Sequence, residues 1–215
     1  MERFDFANTA PLGESFFARD TVTVARELLG AVLVSTVGGE LTAGCIVETE
    51  AYLGADDPGS HAATKGVTKR NRVMYGPPGR AYVYFTYGNH HMLNLVTESD
   101  GVAGAVLIRA IEPLIGEAVM ARRRGRPASI ADGPGKLAQA FGVDLSDNGT
   151  VLGVGRLSIC EGSAPVTVIG ESGRIGLSSG HNLQFRFYVK GNVHVSKAKT
   201  GPRSDKSCGQ GRTIR

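Results

Sequence analysis

Apolar residues after Asp20 fall at Val22, Val24, Ala25, Leu28 and Leu29, a helical spacing closed by Gly30. A helix with Asp20 as its N-cap and Gly30 at its C-terminal end is therefore expected. Residues 31–34 (AVLV) form a short apolar run, Gly38-Gly39 a turn, and residues 41–52 a longer run; together they read as a β-hairpin. Residues 55–70 are rich in Gly, Asp, Lys and Thr and read as a polar loop outside the core. Beyond Pro77-Pro78-Gly79, residues 81–86 (AYVYFT) carry strand chemistry, punctuated by Gly88-Asn89. Residues 92–97 and 105–111 predict two more strands joined by a turn at Ser99-Asp100-Gly101. Helices are expected at 115–124 and 136–141, and two late strand pairs at 165–177 and 183–196. Strands dominate and helices flank them, which predicts one α+β domain over residues 1–215, built on a curved antiparallel or mixed sheet.

Composition adds limits. The 215 residues are 41% hydrophobic, enough for a core without cross-links. Cys45, Cys160 and Cys208 are odd in number and form no C-x-x-C pair, which argues against a disulfide framework or a zinc site and for a reducing, cytoplasmic setting. The N-terminus lacks a basic stretch followed by an apolar run, and no segment approaches the ~20 apolar residues of a membrane span. The net charge of +4 leans toward an anionic partner. Arg122, Arg123, Arg124 and Arg126 cluster, and a basic segment at about 197–215 reads either as a flexible tail or as a further contact surface.

Three groups of residues could carry chemistry. In residues 45–52 (CIVETEAY), strand alternation puts Cys45, Val47, Thr49 and Ala51 on one face and Ile46, Glu48, Glu50 and Tyr52 on the other. Two acids so close in a cleft would raise the pKa of at least one, as acid–base work requires; the plainer alternative is an exposed edge-strand face. Tyr75, Tyr82, Tyr84 and Tyr87 concentrate aromatic rings near Arg70, Arg72 and Arg80, a pattern suited to stacking unpaired bases beside phosphates, or simply to sheet packing. Arg109 lies within an apolar strand and, if buried, needs a partner; Glu50 and Glu112 are both candidates. Gly133-Pro134-Gly135-Lys136 opens a helix and could bind a phosphate without matching a nucleotide P-loop. Asp56, Asp57 and His61 lack metal-ligand spacing, and the neighbours His90 and His91 should point to opposite faces, so no metal is expected.

The strings ETEAYLG (48–54), Asp57 with His61, RNRVMYGPPG (70–79) and YVYFTYG (82–88) closely resemble the alkyladenine, or 3-methyladenine, DNA glycosylases. The resemblance continues through Asn94, LIRAIEP (107–113), GPGKL (133–137), RIG (174–176) and RFYV (186–189), from the first helix to about Ser196. It implies a cofactor-free, metal-free monomeric enzyme that removes alkylated or deaminated purines from double-stranded DNA by hydrolysis, without cutting the strand. It assigns Glu50 as general base for water, positioned with Arg109 and the Ile175 carbonyl. Tyr52 and His61 would line one side of the flipped base and Tyr84 the other. Tyr87 would fill the gap in the duplex and Asn94 would meet the guanine 2-amino group; on the charge reading above, Arg72 and Lys136 would contact the DNA backbone. Glu48, on the strand face of Glu50, is left to structural hydrogen bonds. A binder of damaged DNA without chemistry, and a hydrolase of free nucleosides or RNA, are the competing readings.

Overall fold

The computed structural model describes residues 10–60, 62–63, 66–86, 88–177, 179–180 and 182–197. In chain order it runs α1 (Glu14–Phe17), α2 (Thr21–Glu27), β1 (Val32–Ser35), β2 (Thr42–Tyr52), β3 (Ala81–Thr86), β4 (His90–Val96) and β5 (Ala105–Ile115). Then come α3 (Glu117–Arg124), α4 (Pro134–Phe141), β6 (Leu157–Cys160), β7 (Ile169–Ser172) and β8 (Arg186–Val189). The strands form one antiparallel curled sheet in the order β3-β4-β5-β2-β1-β6, with β7 paired to β8 and β8 to β2.

The α+β expectation holds, and so do most elements. Asp20 caps α2 by accepting a hydrogen bond from the Thr23 N–H at 2.8 Å. The hairpin of β1 and β2 pairs Val32 with Cys45 and Ser35 with Thr42. Helix α4 starts with Pro134 in its first turn, where a missing N–H costs nothing, and ends at Gly142. Four expectations are corrected. The strand expected at 105–111 runs on to Ile115, and the helix expected from 115 begins at Glu117. Gly116 causes the switch: its φ is +76°, and a Cβ there would lie 2.4 Å from the Leu41 carbonyl oxygen. Helix α1 and strand β6 are additions, and the two late strand pairs reduce to the single pair β7 and β8. The segment 55–70 is not all outside the core, because Asp57, Ser60 and Ala62 are buried.

One face of the sheet packs on α1, α2 and α4 through Phe17, Leu28, Ile46, Leu93, Ile108, Phe141 and Phe187, all fully buried. Burial of each such side chain stabilises the fold by about 1.5–3 kcal/mol. The other face carries a smaller cluster of Ala62, Met74, Tyr82, Val96 and Ala105, with Tyr52 and Tyr84 packed against it. Strand β3 shows the division residue by residue: Ala81 and Val83 enter the helical core, Tyr82 the second cluster.

Strand β2 departs from simple alternation. Ile46 pairs with Ile111, Glu48 with Ala110 and Thr49 with Ile108, so Val47 on β2 and Arg109 on β5 are each extra residues. These paired bulges exchange the two faces. Ile46 therefore joins the helical core instead of sharing a face with the acids, and beyond the bulge Ala51 takes over that role.

Candidate active site

Glu48 and Glu50 are fully buried, which removes the exposed edge-strand alternative. Strand β2 is hydrogen-bonded on both sides here, to β5 and to β8, so neither backbone position is at an edge. Glu48 Oε1 accepts from Arg109 Nε at 2.9 Å and Arg186 Nε at 2.7 Å, while Ser196 donates its N–H to Oε2 at 2.7 Å. Burial alone would push the Glu48 carboxyl up, but Arg109 and Arg186 outweigh it and hold it below its ordinary value. The expected rise from two neighbouring acids does not occur at Glu48, because two guanidiniums stand between charge and desolvation. Arg109 meets Glu48 as well as Glu50, a pairing the sequence reading missed; Glu112 instead accepts from Asn192 Nδ2 at 2.7 Å.

The Glu50 carboxylate is held from three directions. Oε1 accepts the Ile175 N–H at 2.7 Å, Oε2 accepts the Tyr52 hydroxyl at 2.8 Å, and Arg109 Nη1 lies 3.3 Å from Oε2. Burial, then Glu50 and Tyr84, push the Tyr52 phenol well above its ordinary range, so it remains a protonated donor. Burial would lower the Arg109 pKa, yet Glu50 and Glu48 reverse this and raise it, keeping the guanidinium charged. Tyr52, Arg109 and Ile175 also line a cavity of about 290 Å³, so the carboxylate stands directly behind its wall. Tyr82, Tyr84, Met74, Met92, Leu107 and Asn94 complete an aromatic and apolar lining. Asn94 is fixed by donating Nδ2 to the Tyr82 carbonyl at 3.0 Å. Ser60, Thr86, Asn94 and Arg109 add polar groups beside the rings, and aromatic walls with a few convergent polar groups are the usual form of a small-molecule or base pocket.

A family profile described as Methylpurine-DNA glycosylase matches residues 15–193. The chain belongs to the methylpurine-DNA glycosylase family. It is 47% identical over 192 residues to a protein of Methanoculleus marisnigri, covering 86% of this chain and 98% of that one. It is 48% identical over 195 residues to one of Chlorobium phaeobacteroides, covering 88% and 97%, and 44% over 196 residues to one of Chlorobaculum tepidum, covering 89% and 93%. Each of the three is named, provisionally, a 3-methyladenine DNA glycosylase. A methylpurine-DNA glycosylase hydrolyses N-glycosyl bonds in DNA and serves base-excision repair.

Other glycosylase residues expected from the sequence lie as follows. His61 and Tyr87 fall outside the described residues. Tyr84 has Arg70 over its ring, Cζ 4.8 Å from the centroid, and Tyr82 at 5.3 Å. Arg72 is exposed in a short 3-10 turn, Arg72–Tyr75. Arg80 donates to the Gly149 carbonyl at 3.0 Å, which makes it a structural tie rather than a free cation. Lys136 Nζ is 2.9 Å from Asp132 Oδ1 and 2.7 Å from Ser129 Oγ, so its charge is already matched. Three arginines of the basic cluster are likewise engaged, Arg122 with Glu40, Arg123 with the Val37 and Ala140 carbonyls and Arg124 with Gln139, while Arg126 is exposed. His90 packs against Gly135 and His91 against Phe85, on opposite faces as alternation requires. Among the described residues, no group of three or more His, Cys, Asp or Glu could hold a metal ion. Asp57 is taken instead by Arg174, at 2.5 and 2.6 Å. The full burial of Arg174 and its place beneath Tyr52 have no local signal in the sequence. Among the described residues, no helix is long and apolar enough to cross a membrane.

Proposed function

We propose that this glycosylase excises alkylated or deaminated purines flipped from duplex DNA into the 290 Å³ cavity, by hydrolysis without strand cleavage. One observation carries the reading. Glu50 is gripped by three groups that are themselves the cavity wall, Tyr52, Arg109 and the Ile175 amide. A carboxylate can accept about four hydrogen bonds. Two hydrogen bonds and the Arg109 ion pair therefore leave acceptor capacity on the carboxylate for a water molecule. That water attacks C1′ of the sugar, its proton passes to Glu50, and the bond from C1′ to the purine nitrogen breaks. The carboxylate also stabilises the positive charge that builds on the sugar. Arg109 and the Ile175 carbonyl orient the water.

Tyr52 and His61 hold one side of the base and Tyr84 the other, while Tyr87 fills the space vacated in the stack. Asn94, fixed against the Tyr82 carbonyl, meets the 2-amino group that marks normal guanine. Arg72 takes a backbone phosphate; Lys136 does so only by exchanging Asp132 for it.

A duplex carrying one hypoxanthine tests this under single-turnover conditions. An abasic product on an unbroken strand is expected; its absence for hypoxanthine and for alkylated purines alike, with the duplex still bound, would favour binding without chemistry. Glu50→Gln is expected to keep lesion binding and to slow excision by about 10²–10⁴-fold, the usual contribution of a general base.

A further inference from the structure

The Tyr52 wall is backed by a buried guanidinium, and we propose that Arg174 with Asp57 sets how the pocket divides its preference between neutral and cationic purines. Arg174 is fully buried, with Cζ 4.7 Å from the Tyr52 ring centroid. Tyr52 lines the cavity and Arg174 does not, so the cation covers the ring face turned away from the cavity. Nη1 donates to the Ala51 carbonyl at 2.9 Å and to Asp57 Oδ2 at 2.6 Å, and Nη2 donates to Asp57 Oδ1 at 2.5 Å. Among the described residues, Nε has no hydrogen-bond acceptor. Nη2 also donates to the Gly180 carbonyl at 3.3 Å, and Gly59 lies so close that a Cβ there would be 2.5 Å from Nη2.

An aromatic ring attracts a cation through its negative face. With Arg174 behind it, Tyr52 has less of that attraction left for a second cation in front. A neutral purine stacks by surface burial and dispersion, which the hidden charge leaves intact. The far wall repeats the arrangement in milder form, since Arg70 covers Tyr84 from an exposed position where solvent screens it. Arg174 thus lowers the advantage of N-alkylated, positively charged purines relative to neutral, deaminated ones, and Asp57 sets by how much. Arg174 is a positioning residue: it acts through Tyr52 and does not touch the base.

The inference rests on the purine-excision reading, and its test separates the two. Single-turnover excision is measured on duplexes holding 7-methylguanine, which is cationic, or hypoxanthine, which is neutral. The readout is the ratio of the two rates, because mere loosening of Tyr52 slows both alike. In the double variant Asp57→Asn with Arg174→Gln, an uncharged pair replaces the ion pair. The cationic-to-neutral ratio is expected to rise about 3- to 30-fold, the range of one cation–π contact. In Asp57→Asn alone the guanidinium loses its counter-charge and the ratio is expected to fall. An unchanged ratio in the double variant overturns the proposal. Should the double variant not fold, Asp57→Asn decides alone, a fall supporting the proposal and an equal or higher ratio overturning it. If the wild-type chain excises neither lesion, the purine-excision reading fails first and takes this one with it.

Discussion

At the scale of single residues, Glu48 and Glu50 show how two identical side chains two positions apart acquire different work. Glu48 is enclosed by Arg109, Arg186 and Ser196, and Glu50 is shared between the fold and the cavity wall. Glu48→Gln leaves two buried guanidiniums short of a counter-charge, and removing one partner of a buried ion pair costs about 3–5 kcal/mol. Urea unfolding at neutral pH is expected to show a loss of that order. The same residue gives the fold an acid limit. Its folded pKa is held below the ordinary 4.5, so its stabilisation is complete above that pH and is lost as pH falls through the folded value. Stability measured against pH is expected to lose part of this acid limb in Glu48→Gln. An acid limb identical to the wild type would show that other carboxylates govern it.

At the scale of elements, alternation and punctuation made most of the scaffold legible. Asp20, Pro134 and Gly142 stand where their chemistry requires, and β3 sorts its tyrosines from its small residues by parity alone. Parity failed at Ile46, because two extra residues on facing strands cannot be read from either strand by itself. The site was legible in part for the same reason. Glu50, Tyr52, Tyr84 and Arg109 lie on recognisable strands, whereas the Arg174–Asp57 pair joins residues 117 positions apart in loops that carry no periodic signal. Gly116 is the element-scale test. Gly116→Ala forces a left-handed backbone onto a side chain aimed at the Leu41 carbonyl, at a cost of about 1–3 kcal/mol from the backbone alone. Thermal unfolding is expected at a correspondingly lower temperature, without change in the residual DNA-binding mode.

At the scale of the whole molecule, several of the cations that could meet DNA are already engaged within the protein. Arg80, Arg122, Arg123, Arg124 and Lys136 all have partners within the protein, while Arg72 stands exposed beside the aromatic face. Arg72→Ala is expected to weaken binding to any duplex and to reduce the slope of log affinity against log salt by about 1. Arg122→Ala should change that slope little, and a large effect there would relocate the DNA-binding face.

The double pairing of β2 also has a mechanical meaning. Glu50 is locked between Leu107 and Arg186 in the middle of the sheet, whereas Tyr84 stands on β3 at its rim. One jaw of the pocket is an anvil and the other is compliant. Amide hydrogen exchange is expected to report this directly, with the Glu50 N–H opening only in global unfolding and the end of β3 exchanging through smaller, local openings. In the proposed mechanism, shape adjustment to lesions of different size therefore falls to Tyr84 on β3, while Glu50 and Tyr52 on β2 keep one geometry for all of them.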